Sequence, residues 1–140
     1  MAVKIEYFKD GAVNPDLVTT YAQEYADKFV PPKDPNFKGK SAAKAVTSAQ
    51  LRRFYGDVKK MEMRLKDSSD KDTAFLEILP YIKLLKAKAA YAQKRELVNE
   101  SFKNWIWENV DMINNRKYFA AFLLYFEAVV GFCYGNGLSD

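Results

Sequence analysis

The sequence predicts an all-α protein, a single bundle of about five helices over residues 1–140. Apolar side chains recur at three- and four-residue spacing in several stretches of helix length, and no stretch alternates with period two for long. Helix-capping residues, prolines or glycines stand at the breaks between these stretches. With 140 residues, of which 49% are hydrophobic, the chain is long enough to build one ordinary core.

The first two helices are bounded by clear start and stop signals. The first is predicted to begin at Asn14 and Pro15, because asparagine caps a helix and proline suits its first turn, and to end before Pro31. Residues 31–40 hold three prolines, a glycine and three lysines, and are predicted to form an exposed connector. The second helix is predicted from Thr47 and Ser48 to about residue 66. Its apolar stripe is Leu51, Phe54, Tyr55, Val58, Met61 and Leu65.

The third helix is predicted to begin near Thr73 and to contain Pro80. That proline cannot donate a hydrogen bond to residue 76, so it is expected either to kink the helix or to begin its main section. A fourth helix is predicted over about residues 97–114, and a fifth over about 117–133, before Gly135-Asn136-Gly137. The third helix is expected to bury one face made of Phe75, Leu76, Leu79, Ile82, Leu85 and Ala89.

The fifth helix is apolar nearly all round. Leu124, Tyr125 and Phe132 cover the side opposite to its main stripe. A helix of this kind is buried centrally or shared with another subunit. We expect it to be central and also partly at an interface.

The composition argues against an enzyme. Histidine is absent and Cys133 is the single cysteine, which removes the usual general base and a structural zinc site. Glycine-rich phosphate-binding motifs are also missing. The sequence therefore predicts no catalytic residue, no metal and no cofactor, with a Mg²⁺-dependent carboxylate nuclease as the enzymatic alternative. The lone cysteine, the lack of a signal-peptide pattern and the short charge-free runs predict a cytoplasmic protein without membrane contact.

Basic residues are concentrated in two segments. Residues 38–66 hold nine basic and two acidic side chains, and residues 81–95 hold five basic and no acidic ones. The rest of the chain is therefore acidic, although the net charge is only +4. Such segregation is expected of a protein that presents one face to a polyanion.

Helical spacing divides the basic side chains of the second helix. Arg52 and Lys59 are seven residues apart, so they share a side next to the apolar stripe. Arg53 shares another side with Lys60 and Arg64, which is predicted to face away from that stripe. The first pair is therefore predicted to make placed phosphate contacts, and the second group looser ones.

Lys86 and Trp107 depart from the pattern of their helices. The angle of Lys86 falls within the apolar face of the third helix, so we expect its ammonium to snorkel to solvent, to pair with an acid such as Glu127, or to point into a groove. Trp107 lies opposite Trp105 and Phe102, where it would be exposed as a protein-interface anchor or a base-stacking ring.

Three stretches carry a shared pattern: TSAQLRRFYGDVKKME (47–62), LPYIKLLKAKAAYAQKRE (79–96) and FLLYFEAVVGFCYGNG (122–137). The first is a capped helix that opens with Leu-Arg, the second closes on Arg-Glu, and the third places an aromatic-Glu-Ala run before the last glycines. As a set, in this order and spacing, they resemble the small subunit of the type III-A CRISPR–Cas effector, the Csm complex. The first 46 residues carry little of this resemblance.

The resemblance implies a non-catalytic helical bundle that is stacked in several copies along the effector and lines the groove holding the guide RNA–target RNA duplex. The basic positions of the family fall on Arg52, Lys86 and Arg95, and less closely on Lys59. Together with Arg53 from the helical spacing, these are the predicted RNA-binding residues. The predicted partners are guide RNA, target RNA, other subunits of the complex and further copies of the chain, as a dimer or a stack. The alternative is a helical protein–protein adaptor without direct RNA contact.

Overall fold

The computed structural model describes residues 5–33 and 45–139. A short 3₁₀ helix, Pro15–Val18, leads into α1 (Thr20–Phe29), followed by α2 (Ser48–Asp67), α3 (Lys71–Lys94), α4 (Glu100–Met112) and α5 (Arg116–Gly135). These five α-helices confirm the predicted all-α class and helix number. The predicted connector at 31–40 falls mostly outside the described residues, as do Lys38, Lys40 and Lys44 of the first basic segment.

A small hairpin precedes the helices and was not predicted. Strands β1 (Phe8–Lys9) and β2 (Ala12–Val13) are antiparallel, and the two-residue turn Asp10-Gly11 has positive φ angles of 54° and 80°. Asp-Gly is a preferred sequence for such a turn, since glycine takes positive φ without a steric penalty. The strands are two residues long, too short to give a period-two pattern.

Side-chain caps set the starts of the 3₁₀ helix and of α2 to α5, whereas Thr19, which precedes α1, makes no such bond. The first helix was predicted from Asn14 and Pro15, but α1 begins only at Thr20. The side chains of Asn14, Thr47, Asp70, Asn99 and Asn115 each accept a hydrogen bond from a backbone N–H two or three residues further on. Asp70 places the start of α3 at Lys71, two residues before the prediction, and α3 continues through Pro80. The alternative in which the helix begins at Pro80 is therefore wrong.

The end of α5 follows from Gly137, whose φ is +106°. Its N–H donates to the carbonyl of Tyr134 at 3.0 Å, and the N–H of Leu138 donates to the carbonyl of Cys133 at 3.2 Å. This pair of bonds is the Schellman arrangement, which satisfies carbonyls that a helix end would leave unpaired. The glycine predicted as a C-terminal cap is confirmed.

The helices pack in a closed order around an aromatic core. α3 lies between α2 and α4, α5 lies between α2 and α1, and α1 also packs on α4. Trp105 of α4 stands at the centre, with its ring centroid 5.1–5.6 Å from those of Phe122, Tyr125 and Phe126 on α5. Because α3 has a neighbour on each side, its basic residues can face two different grooves.

One predicted orientation on α3 is wrong. Leu76, predicted to face inward, is 67% exposed, because the buried stripe of α3 runs through Phe75, Ile78 and Ile82. Tyr125, on the side of α5 opposite to its main stripe, is fully buried, because α1 and α4 cover that side, as expected of a central helix.

The helix α5 has 20 residues and a mean hydropathy of 1.5. By length and composition alone, it could cross a membrane. The sequence prediction counted only charge-free runs and so missed this property. Eight residues of α5 are buried in the core of the bundle, which accounts for its composition. Leu124 remains exposed on its outer side.

Candidate nucleic-acid interface

A cleft of about 230 Å³ opens between α2 and α3. Arg53 and Asp57 are four residues apart on α2. Lys88 of α3 and Arg95, which caps the C-terminal end of α3, are seven apart, so each pair shares one side of its helix. The packing of α2 against α3 turns these two sides toward each other. The remaining lining residues are Gln50, Phe54, Tyr91, Ala92 and Leu97.

Three cations and one carboxylate line this cleft. Lys88 donates from Nζ to Oδ2 of Asp57 at 3.1 Å, which ties α3 to α2 across the opening. The guanidinium of Arg95 lies over the ring of Tyr91, with Cζ 5.7 Å from the ring centroid, and Nη1 donates to the tyrosine hydroxyl at 3.3 Å. Because Asp57 offsets Lys88, Arg53 and Arg95 supply the excess positive charge.

The structure brings together only two of the five predicted RNA-binding residues. Arg53 and Arg95 line the cleft between α2 and α3. Arg53 is exposed, in keeping with its predicted position away from the apolar stripe of α2, and it lies on the flank of α2 where the cleft to α3 opens. The sequence prediction omitted Lys88 and Tyr91 as site residues, although the seven-residue spacing of Lys88 and Arg95 would have grouped that lysine with the arginine.

Arg52 and Lys59 lie on the other flank of α2, toward α5. Tyr55, which shares this flank, has its ring centroid 5.4 Å from that of Phe126 on α5. Lys59 donates from Nζ to Glu62 at 2.6 Å, and this hydrogen bond raises the pKa of the lysine. Part of the positive charge on this flank is therefore offset within α2 itself.

Lys86 lies on the α4 side of α3, away from the cleft. Its Nζ is 2.7 Å from Oδ1 of Asp111, so the expected ion pair is present but Glu127 was the wrong partner. The reason is the position of α3 between α2 and α4, whereas Glu127 is exposed on α5. Trp107, predicted to be exposed, is half-buried against α3 and donates from Nε1 to the backbone carbonyl of Lys86 at 2.9 Å.

Comparison with protein-family models identifies the chain. The family model Csm2 Type III-A matches residues 33–134. The chain belongs to the Csm2 family. It is therefore a small subunit of the type III-A Csm complex, as the resemblance implied. No curated protein and no solved structure matches the chain.

The Csm2 match covers all of α2, α3 and α4 and most of α5, and hence every lining residue of the cleft. The β-hairpin and α1 lie outside it. They are joined to the matched part through the core, where the hydroxyl of the buried Tyr7 donates to the side chain of Asn109 on α4. The N-terminal segment therefore supports the Csm2 part of the bundle without lining the cleft.

A second basic group in this Csm2-family chain surrounds the junction of α2, α3 and α5. Lys66, Lys71, Arg116 and Lys117 line a shallow depression there. Lys71 donates from Nζ to the carbonyl of Lys66 at 2.9 Å, and Arg116 lies 3.0 Å from Asp72. These interactions tie helix ends together, so the group has a structural role within the bundle.

Among residues 5–33 and 45–139, no group of three or more His, Cys, Asp or Glu side chains is arranged to hold a metal ion. Cys133 is buried, and burial raises the pKa of its thiol to about 12. A thiol with that pKa is protonated and unreactive at neutral pH. The groups of the cleft that can bind a ligand are its cations, its carboxylate and its tyrosine ring.

Proposed function

We propose that this chain is a non-catalytic, RNA-contacting subunit of the type III-A Csm complex, which acts in the cytoplasm in antiviral defence. The α2–α3 cleft contacts the backbone of the guide RNA or the target RNA. The observation that carries the proposal is the convergence of Arg53 and Arg95, from two different helices, on one cleft. Arginines held on rigid helices suit phosphate binding, because the guanidinium offers several donors in a fixed geometry.

Backbone recognition also suits the task of the complex. A subunit that serves any guide sequence gains from contacts to phosphates and 2′-hydroxyls, which carry no direct sequence information. Repetition of modest contacts along an assembly gives a strong overall interaction, so each isolated copy binds RNA weakly.

In this proposal, additional contacts with RNA come from Arg52, Lys59 and Lys86. Each contributes less to the RNA affinity than Arg53 or Arg95. Lys59 is partly offset by Glu62, and Lys86 by Asp111. An ion pair of this kind must be shared or broken before the lysine binds a phosphate, which lowers its net contribution.

A protein-adaptor role is the second candidate, and one observation favours it. α3 exposes three large apolar side chains that no other part of the described structure covers, Leu76, Tyr81 and Leu84, and α2 exposes Met63. Exposed apolar side chains of this size are typical of protein interfaces. We propose that this surface meets other Csm subunits or further copies of the chain, as a dimer or a stack, while the cleft meets RNA.

RNA binding across a salt series tests the proposal with the full-length protein. The Arg53→Ala/Arg95→Ala variant is compared with Lys9→Ala/Lys28→Ala, which removes the same charge from exposed positions outside the cleft. We expect only the cleft variant to bind more weakly, with a salt slope shallower by about one unit for each lost phosphate contact. Equal loss in both variants would contradict a placed contact.

Three further measurements test the proposal. Unrelated RNA is expected to compete for the cleft, whereas an adaptor contact with another subunit is expected to ignore it. Incubation of RNA with the protein and Mg²⁺ is expected to leave the RNA intact, and cleavage that EDTA abolishes would contradict the non-catalytic role. Elution at the monomer position at high micromolar concentration would contradict self-association.

A further inference from the structure

The α2–α3 cleft has features that a surface for phosphates alone does not need. Phe54 and Ala92 form an apolar floor, and both are almost completely buried. Tyr91 stands at the opening with 64% of its surface exposed, although it is a large aromatic residue. Phosphate contacts require only exposed cations, so an apolar floor beneath an exposed ring suits a flat, partly apolar ligand.

The ring of Tyr91 is held in place by Arg95. The guanidinium lies over the ring, and the tyrosine hydroxyl accepts a hydrogen bond from Nη1. Both groups are planar, and both stack on nucleobases in proteins that bind unpaired RNA. Such stacking is tolerant of sequence, because every base has a π-face. It is therefore compatible with a subunit that serves any guide.

The edges of the cleft carry hydrogen-bonding groups of both kinds. The amide of Gln50 can donate and accept, and the carboxylate of Asp57 accepts, for example from the exocyclic amine of cytosine or adenine. Arg53 and Lys88 are donors suited to the adjoining phosphates. The volume of the cleft, about 230 Å³, lies below the range of about 300–1,000 Å³ typical of pockets for drug-sized ligands, so the cleft suits a ligand no larger than one base.

We propose that the cleft accepts one unpaired RNA nucleotide, whose base stacks on Tyr91 while its phosphates contact Arg53 and Arg95. This inference rests on the proposed RNA-contacting function and adds the form of the ligand. A fully paired duplex keeps its bases stacked inside the helix, so it offers only its backbone to the cleft. An unpaired nucleotide can turn outward and place its base on the ring.

Two RNA duplexes of equal length and flanking sequence test the inference, one fully paired and one with a single unpaired uridine. Both are titrated into the full-length protein and into the reconstituted Csm complex. Base–aromatic stacking predicts a preference of about 5- to 100-fold for the duplex with the unpaired uridine. Tyr91→Leu is expected to abolish the preference, so that the ratio of the two affinities falls to about one, and Tyr91→Phe is expected to keep it. Circular dichroism of each variant checks folding.

The outcomes separate the two proposals. Equal affinity for both duplexes, unchanged by Tyr91→Leu, would overturn the nucleotide site, while weaker binding of both by Arg53→Ala/Arg95→Ala would still support the RNA-contacting function. If Arg53→Ala/Arg95→Ala binds both duplexes with the affinity of the parent, in the isolated protein and in the complex, both proposals fail.

Discussion

Lys88 of α3 and Asp57 of α2 form an ion pair across the cleft, with Nζ 3.1 Å from Oδ2. Among the residues that the structure describes, Asp57 is the one acidic residue in a lining that is otherwise basic or uncharged. A carboxylate in this position repels phosphate and also occupies Lys88. It limits the affinity of the cleft for a polyanion.

Replacement of Asp57 by asparagine is therefore expected to tighten RNA binding. Removal of one unit charge a few ångströms from a phosphate changes the interaction by about 1 kcal/mol in water, which corresponds to about fivefold in affinity. The lost ion pair is partly exposed, so the free energy of unfolding is expected to fall by less than about 1 kcal/mol. Fluorescence anisotropy with a labelled RNA measures the affinity.

The control is Glu108→Gln, which removes one negative charge from an exposed position on α4. It is expected to change RNA affinity much less than Asp57→Asn. An equal gain in both variants would show that only net charge matters.

Lys86 is expected to matter more for the packing of α3 on α4 than for RNA. Its ammonium binds Asp111 and lies 4.7 Å from the ring centroid of Trp107. Lys86→Ala is expected to lower the free energy of unfolding by about 1 kcal/mol and to reduce RNA affinity less than Arg95→Ala does. Urea unfolding and RNA titration measure the two effects. A loss of affinity as large as that of Arg95→Ala, at unchanged stability, would contradict this smaller share and make Lys86 a main RNA contact.

Phe102 is expected to be among the most sensitive core positions. It is fully buried, and its ring centroid lies 5.2–5.3 Å from those of Phe29 and Phe54. Phe102→Ala removes these contacts and leaves a cavity, at an expected cost of about 3–5 kcal/mol in unfolding free energy. Leu124→Ala, at an exposed position of α5, is expected to change it by less than about 0.5 kcal/mol. Similar urea midpoints for the two variants would contradict the described core.

Stability is expected to fall in alkali, and Cys133 is one cause. Burial raises the pKa of its thiol from 9.0 to about 12. Above about pH 9 the unfolded chain loses this proton while the folded protein keeps it, so rising pH favours unfolding, by up to about 1.4 kcal/mol per pH unit. Burial also raises the pKa of Tyr7 and Tyr125, so above about pH 10 these tyrosines further lower the free energy of unfolding.

Urea unfolding of the parent and of Cys133→Ala between pH 8 and pH 11 measures this effect. The free energy of unfolding of the variant is expected to decrease less than that of the parent between about pH 9 and pH 10, where the tyrosines contribute least. Identical pH profiles would mean that the thiol titrates alike in the folded and unfolded states.

Several helix boundaries could be predicted because they depend on local chemistry, although α1 and α4 begin later than predicted, at Thr20 and Glu100. Thr47 and Gly137 act through hydrogen bonds to residues a few positions away, and such signals stand in the sequence itself. The all-α class followed for the same reason. The hairpin at Asp10-Gly11 was missed because its strands are too short to show a periodic pattern.

The site could be predicted only in part. The basic segments and the RNA-binding candidates were visible, but the periodicity of one helix does not say which helix packs on which flank. Lys86 and Arg95 belong to the same basic segment, yet Lys86 faces α4 and Arg95 faces α2, because α3 lies between the two helices. The grouping of Arg53 with Arg95 depends on that packing order.

The most direct test of the account is a structure of the assembled Csm complex that contains this chain, guide RNA and target RNA. The measured quantity is the distance from the guanidinium groups of Arg53 and Arg95 to the nearest RNA phosphate oxygen. We predict that at least one of them lies within hydrogen-bonding distance, about 2.7–3.2 Å. A cleft that faces protein or solvent, with every phosphate more than about 10 Å away, would contradict the account, because charges at that separation are largely screened at physiological salt.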